Sequence, residues 1–177
     1  GAGGDQGWLR KWSLGIVMAK DVPQTTNYTA LLSGVPAGAV VTDVNVHVDI
    51  THDHVGDLTL KLRSPAGTEI ILAERLGGSG DGYSGTTFDA GVTRSILTAL
   101  APFTGTFRPQ GSLDAFDGQA ANGTWTLIVT DSVHGVAGVV NRWSLDVRTT
   151  ESVTSQIAVS GLTAANVLGR AGYSVLL

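Results

Sequence analysis

The stretch Val40-Val41-Thr42-Asp43-Val44-Asn45-Val46-His47-Val48-Asp49-Ile50 decides the fold class. Val40, Val44, Val46, Val48 and Ile50 make one row, and Val41, Asp43, Asn45, His47 and Asp49 make the other. Successive side chains of an extended chain point to opposite faces. A period of two therefore predicts a strand with one face in a core and one toward water.

The same pattern recurs on both sides. Leu58, Leu60 and Leu62 alternate with Thr59, Lys61 and Arg63, then Ser64-Pro65-Ala66-Gly67-Thr68 makes a tight turn. Glu69 to Leu72 returns as the partner strand of a hairpin. Upstream, Tyr28 to Leu32 reads as a strand, with Pro23 and the polar run Gln24 to Asn27 as a loop before it. Downstream, Gly77 to Ser84 reads as a flexible glycine-rich loop, Thr86 to Phe88 as a short strand, and Ala99 to Phe116 as a Pro/Gly-punctuated excursion. Trp125, Leu127 and Val129 line one face of the next strand, and Trp143, Leu145 and Val147 line the last. Short alternating strands at close spacing predict an all-β sandwich or jelly roll.

The ends differ in character. Trp8, Trp12, Leu14, Ile16 and Met18 fall on alternate positions, as in a half-buried strand, although a helix also brings Trp8 and Trp12 together. After Arg148 come a polar linker (149–155), a short strand (157–159), a stretch able to form one or two helical turns (162–168) and the apolar run Tyr173 to Leu177. The expected organisation is an N-terminal extension (1–27), a β-sandwich (28–148) and a C-terminal extension (149–177).

Composition narrows the function classes. The 177 residues carry a formal net charge of −4, with 15% charged residues and eleven scattered Lys and Arg. That is no footprint for nucleic acid, which calls for clustered cations. No run approaches the roughly 18 apolar residues of a membrane span. There is no cysteine, so neither a disulfide nor a thiol nucleophile is available. A start at Gly1-Ala2-Gly3-Gly4 without methionine fits a processed or recombinant N-terminus, a removed export signal being one explanation.

Five elements, in order, resemble the P domain of kexin- and furin-type and bacterial secreted proteases, over roughly residues 35–148. Ile50-Thr51-His52-Asp53-His54-Val55-Gly56-Asp57-Leu58 is similar to the family's I-T-H-x-x-x-G-D-L turn, and Leu62-Arg63-Ser64-Pro65-Ala66-Gly67-Thr68 to its L-x-S-P-x-G-T hairpin. Thr87-Phe88-Asp89 sits at an F-D element, and Ala101-Pro102-Phe103-Thr104-Gly105 resembles the bacterial branch. Gly123-Thr124-Trp125-Thr126-Leu127, Asp131, Gly138 and Trp143-Ser144-Leu145 resemble the family's ending. The resemblance implies a β-sandwich module without catalytic residues, extracellular or at the cell surface. The resemblance does not extend to residues 1–27 or 149–177.

Calcium is the one inorganic ligand the resemblance implies, with Asp53, Asp57, Asp89 and Asp131 as candidate ligands. Calcium needs six to eight oxygens, and the same aspartates serve equally as turn-formers and caps. His47, His52 and His54 lie close in sequence, but hydrogen-bonded histidines are the better reading than a transition-metal site. Trp125 and Trp143 read as core anchors.

Three functions follow as expectations. The first is an exported structural subunit that self-associates through donated strands, with Trp8, Trp12, Leu14, Ile16, Met18, Tyr173, Val175 and Leu177 as anchors, building an extracellular filament. The second is an accessory domain of a secreted serine protease or metalloprotease, partnered with its catalytic domain. The third is a calcium-dependent carbohydrate-binding module, disfavoured by the scarcity of aromatic residues.

Overall fold

A computed structural model describes residues 23–133 and 138–150 in full, and the backbone of residues 155–159 and 174–175. Among these residues ten strands form two five-stranded sheets: β1 (Gln24–Leu32), β2 (Val41–Thr51), β3 (Leu58–Arg63), β4 (Glu69–Glu74), β5 (Tyr83–Phe88), β6 (Phe103–Phe107), β7 (Gly123–Asp131), β8 (Val139–Thr149), β9 (Ser155–Val159) and β10 (Ser174–Val175). The first sheet runs β10-β1-β7-β3-β4 and the second β6-β5-β2-β8-β9. β1–β10 and β5–β6 are parallel pairs, and the other pairs are antiparallel. The all-β sandwich expected from the alternating pattern is the fold.

The inward rows meet as one core. Val44, Val46, Val48 and Ile50 of β2 are buried together with Leu58, Leu60 and Leu62 of β3, and with Trp125 and Trp143. Each fully buried side chain of this size contributes about 1.5–3 kcal/mol relative to an exposed one. Phe116 meets the Trp125 ring edge-on at 5.3 Å, and Trp125 Nε1 donates to the Ala121 carbonyl at 3.0 Å. Both tryptophans are core anchors, as the pattern predicts.

Four details depart from the sequence reading. Val41, not Val40, belongs to the inner row, because the β2–β8 register slips between Val41 and Asp43 and so flips the row. β1 begins at Gln24 rather than Tyr28: Gln24 to Asn27 pair with Asp131 to Ile128, and the partner strand overrides their loop-like polarity. β6 lies within the supposed excursion, where Phe103 and Phe107 are buried at either end of Phe-Thr-Gly-Thr-Phe. The glycine-rich loop is pinned rather than flexible. Val55 N donates to Gly80 O at 2.9 Å and Gly56 N to Gly78 O at 2.8 Å.

Sheet edges are covered in part. Gln110 N and Gly111 N donate to Leu72 O and Ile71 O of β4 at 3.0 and 2.8 Å. The Arg94–Ile96 segment exchanges bonds of 2.7 and 3.0 Å with Arg108, just past β6. β9 pairs along β8 from Trp143 to Val147, and β10 pairs with Thr29 and Ala30 of β1. Such coverage removes templates for stray strand pairing. The candidate donor strand at residues 8–18, the helical stretch at 162–168, and Tyr173 and Leu177 lie outside the described residues. No helix among the described residues is long and apolar enough to cross a membrane.

Candidate functional site

The motif Thr51-His52-Asp53 closes β2 and turns the chain toward the first sheet. His52 is fully buried, and its Nε2 lies 3.3 Å from Asp131 Oδ2 at the end of β7. Its Nδ1 accepts from the His54 N–H at 3.1 Å, so Nε2 carries the hydrogen donated to Asp131. The other Asp131 oxygen accepts from Val133 N at 3.1 Å. A Cβ at Gly138 would run into the His52 ring. One imidazole thus ties the two sheets together where their strands end.

The four aspartates proposed for calcium do not converge. Asp53 and Asp57 belong to one turn, and Asp57 O accepts from Ser132 N at 2.9 Å beside Asp131. Asp131 itself is engaged by His52 and Val133. Asp89 follows Phe88, which pairs with Val46, whereas Tyr83 at the other end of β5 pairs with Ile50. Asp89 therefore sits toward the start of β2, remote from the other three, and its Oδ1 accepts from Gly91 N at 2.7 Å. Among the described residues, no group of three or more His, Asp or Glu is placed to hold a metal ion. The carboxylates of these four residues therefore do not by themselves supply the six to eight oxygens that calcium takes.

Asp89 joins a different group. Burial raises the Asp43 carboxyl above its ordinary value, opposed by Arg148 and reinforced by Asp89 and Asp117. Asp117 is raised as well, by burial and then by Asp114.

The outer face of the second sheet is polar and carries the other His–Asp pair. His47 Nε2 lies 3.0 Å from Asp146 Oδ2, and Nδ1 lies 2.9 Å from Thr87 Oγ1. A carboxylate only accepts, so Nε2 donates. The trio spans adjacent strands, with Thr87 and Ser144 as the register partners of His47. Two clefts open on the β2–β5 seam. One of about 320 Å³ is lined by Asp49, Thr51, His52, Asp53, Asp81, Ser84 and Pro102, among others. One of about 240 Å³ is lined by His47, Gly85, Thr87, Arg142 and Ser144, among others.

Elsewhere the chain exposes apolar surface. Leu97 is 55% and Leu100 86% exposed, in a segment that leads into Pro102. Ser95 caps this turn by accepting from Leu97 N at 3.2 Å, so the leucines stand on a fixed support. Sequence reading missed them because an isolated Leu-Thr-Ala-Leu run has no strand period and no motif. The Thr87–His47–Asp146 contact was missed for another reason: it needs the register of three strands.

Comparison with known proteins adds a family. The family model described as proprotein convertase P-domain matches residues 41–147. A calcium-dependent protease of Trichormus variabilis is 31% identical over 109 residues, covering 60% of this chain and 14% of that protein. A calcium-dependent protease of a Nostoc species is 30% identical over 131 residues, covering 72% of this chain and 17% of that protein. The chain spans less than a fifth of either relative. Among solved structures, a serine protease of Aeromonas sobria is 22% identical with a TM-score of 0.34, covering 85% of this chain and 22% of that one. The same protease with its chaperone is 25% identical, with a TM-score of 0.33 and coverage of 82% and 21%.

Proposed function

The chain belongs to the proprotein convertase P-domain family, and from that premise we propose that it is the non-catalytic accessory domain of a secreted protease. One observation carries the reading: a P-domain match over residues 41–147, in a chain that spans only 14% and 17% of relatives named as proteases. In this reading the catalytic residues belong to the larger portion those relatives possess. The sandwich stabilises that portion by docking on it outside the cell.

Leu97 and Leu100 are the docking contact we assign to that partner. Large apolar side chains held out by a capped turn on a rigid scaffold lose water only when a partner covers them. Thr87, His47 and Asp146 set a hydroxyl, an imidazole and a carboxylate in sequence, as a nucleophilic triad does. We read them instead as a cross-strand staple, because each lies on the outward row of a regular strand. The calcium in the relatives' names we assign to their remaining portion, since Asp53, Asp57, Asp89 and Asp131 do not gather here.

Self-assembly through terminal strands is the weaker reading. β9 and β10 lie on β8 and β1 of their own chain, which favours C-terminal strands that pair within the chain over strands donated to a neighbour.

The test is the Leu97→Ser/Leu100→Ser variant in the complete natural reading frame. The expected result is lower thermal stability of the catalytic portion, with the isolated sandwich unfolding as before. Unchanged stability of the catalytic portion, or a reading frame without a protease, overturns the proposal.

A further inference from the structure

Three ladders of the second sheet slip at one level. The β2–β5 register shifts between Val48 and Ile50, β2–β8 between Asp49 and Ile50, and β5–β6 between Ser84 and Thr86. Gly85 adopts φ 58° there, and neither it nor Ser84 has a register partner on β2. Bulges bend a strand and re-aim its side chains. Stacked across neighbouring strands, they open the two clefts along one seam.

The clefts differ in charge. The larger is lined by three carboxylates, Asp49, Asp53 and Asp81, and by no Lys or Arg. Asn141 holds Asp49 at 3.1 Å, while Asp53 and Asp81 have no partner among the described residues. The smaller contains Arg142, whose register partner is Asp49 but which forms no ion pair among the described residues. Negative charge at one end and positive charge at the other make the groove dipolar.

We propose that this groove binds an extended peptide segment bearing one basic and one acidic side chain about four residues apart. The spacing follows from strand geometry. The clefts centre near Val48 and near Thr51–His52, about 10–14 Å apart at roughly 3.3 Å per residue. An even separation places both side chains of an extended ligand on the same face. The basic side chain enters the Asp53–Asp81 end and the acidic one meets Arg142. A sugar fits less well, because Tyr83, the one Phe, Tyr or Trp lining either cleft, is only 1% exposed and offers no face for stacking. Nucleic acid is opposed by the carboxylates.

The probe is the pentapeptide acetyl-Arg-Thr-Val-Thr-Glu-amide, titrated into the isotopically labelled chain and followed by amide chemical shifts. Saturable shifts are expected at residues 47–53, 81–87 and 142–144, with a dissociation constant no weaker than about 1 mM. Asp53→Asn/Asp81→Asn weakens binding about tenfold, the loss expected of a charge-assisted contact. Replacing the peptide's arginine by alanine then costs nothing further. Arg142→Gln has the same relation to the peptide's glutamate. All three substituted side chains lie at the surface, so the variants fold. No saturable shift, shifts elsewhere, or binding indifferent to these substitutions overturns the proposal. The accessory-domain reading stands in either case.

Discussion

Two His–Asp pairs, anchored five residues apart on β2 and just past its end, have opposite fates. His52 and Asp131 are 0% and 9% exposed as side chains, whereas His47 and Asp146 are 37% and 26% exposed. The chemistry is the same and the surroundings differ. In the buried pair every polar atom is committed, to His54, Asp131 or Val133, and removal of one partner strands another without water. In the outer pair water can replace either partner. One histidine holds the sandwich together, and the other decorates the face where a ligand can reach it.

The comparison breaks most easily at His52. His52→Ala should cost about 3–5 kcal/mol of unfolding free energy in urea, since it empties a core position and leaves Asp131 Oδ2 without its partner. A loss below about 1 kcal/mol would make the two pairs equivalent. Gly138→Ala attacks the same contact from the other side. A methyl there must displace the His52 ring, at an expected cost of about 1–3 kcal/mol by overpacking, read from the thermal midpoint. His47→Ala should cost no more than about 1 kcal/mol.

A smaller effect has the opposite sign. The folded Asp43 carboxyl is raised above its ordinary value, so the folded state binds its proton more tightly than the unfolded chain. The associated stability is present at low pH and is lost as pH rises through the raised value. Asp43→Asn should therefore stabilise slightly at pH 7, and the gain should vanish below the ordinary carboxylate range. Thermal midpoints at pH 7 and pH 3 give the sign. Calcium supplies a further contrast: millimolar calcium should leave the midpoint of the isolated chain unchanged, whereas a bound ion would raise it.

The sandwich was legible in the sequence because the apolar inward rows of β2, β3, β7 and β8 fall on alternate positions over most of each strand. The hairpin was legible because Gly67, at φ 88°, supplies the turn that Ser64-Pro65-Ala66 demands. β6 was not, since Gly105 interrupts its row and its pairing with β5 is parallel and non-local. His52 could be named from a motif, but its burial depends on Asp131, 79 residues away. The seam on the second sheet was invisible for a related reason. A register slip such as that at Val48–Ile50 is a property of paired strands, and no single strand carries it.

In the proposed function the sandwich serves the catalytic portion of a protease. The direct measurement is the yield and thermal stability of active enzyme from the complete natural reading frame, with and without residues 23–159. The account predicts that deletion lowers the yield of active protease at least about tenfold, as loss of roughly 1.4 kcal/mol or more of stabilisation would. Equal yield and equal stability without the sandwich would contradict it.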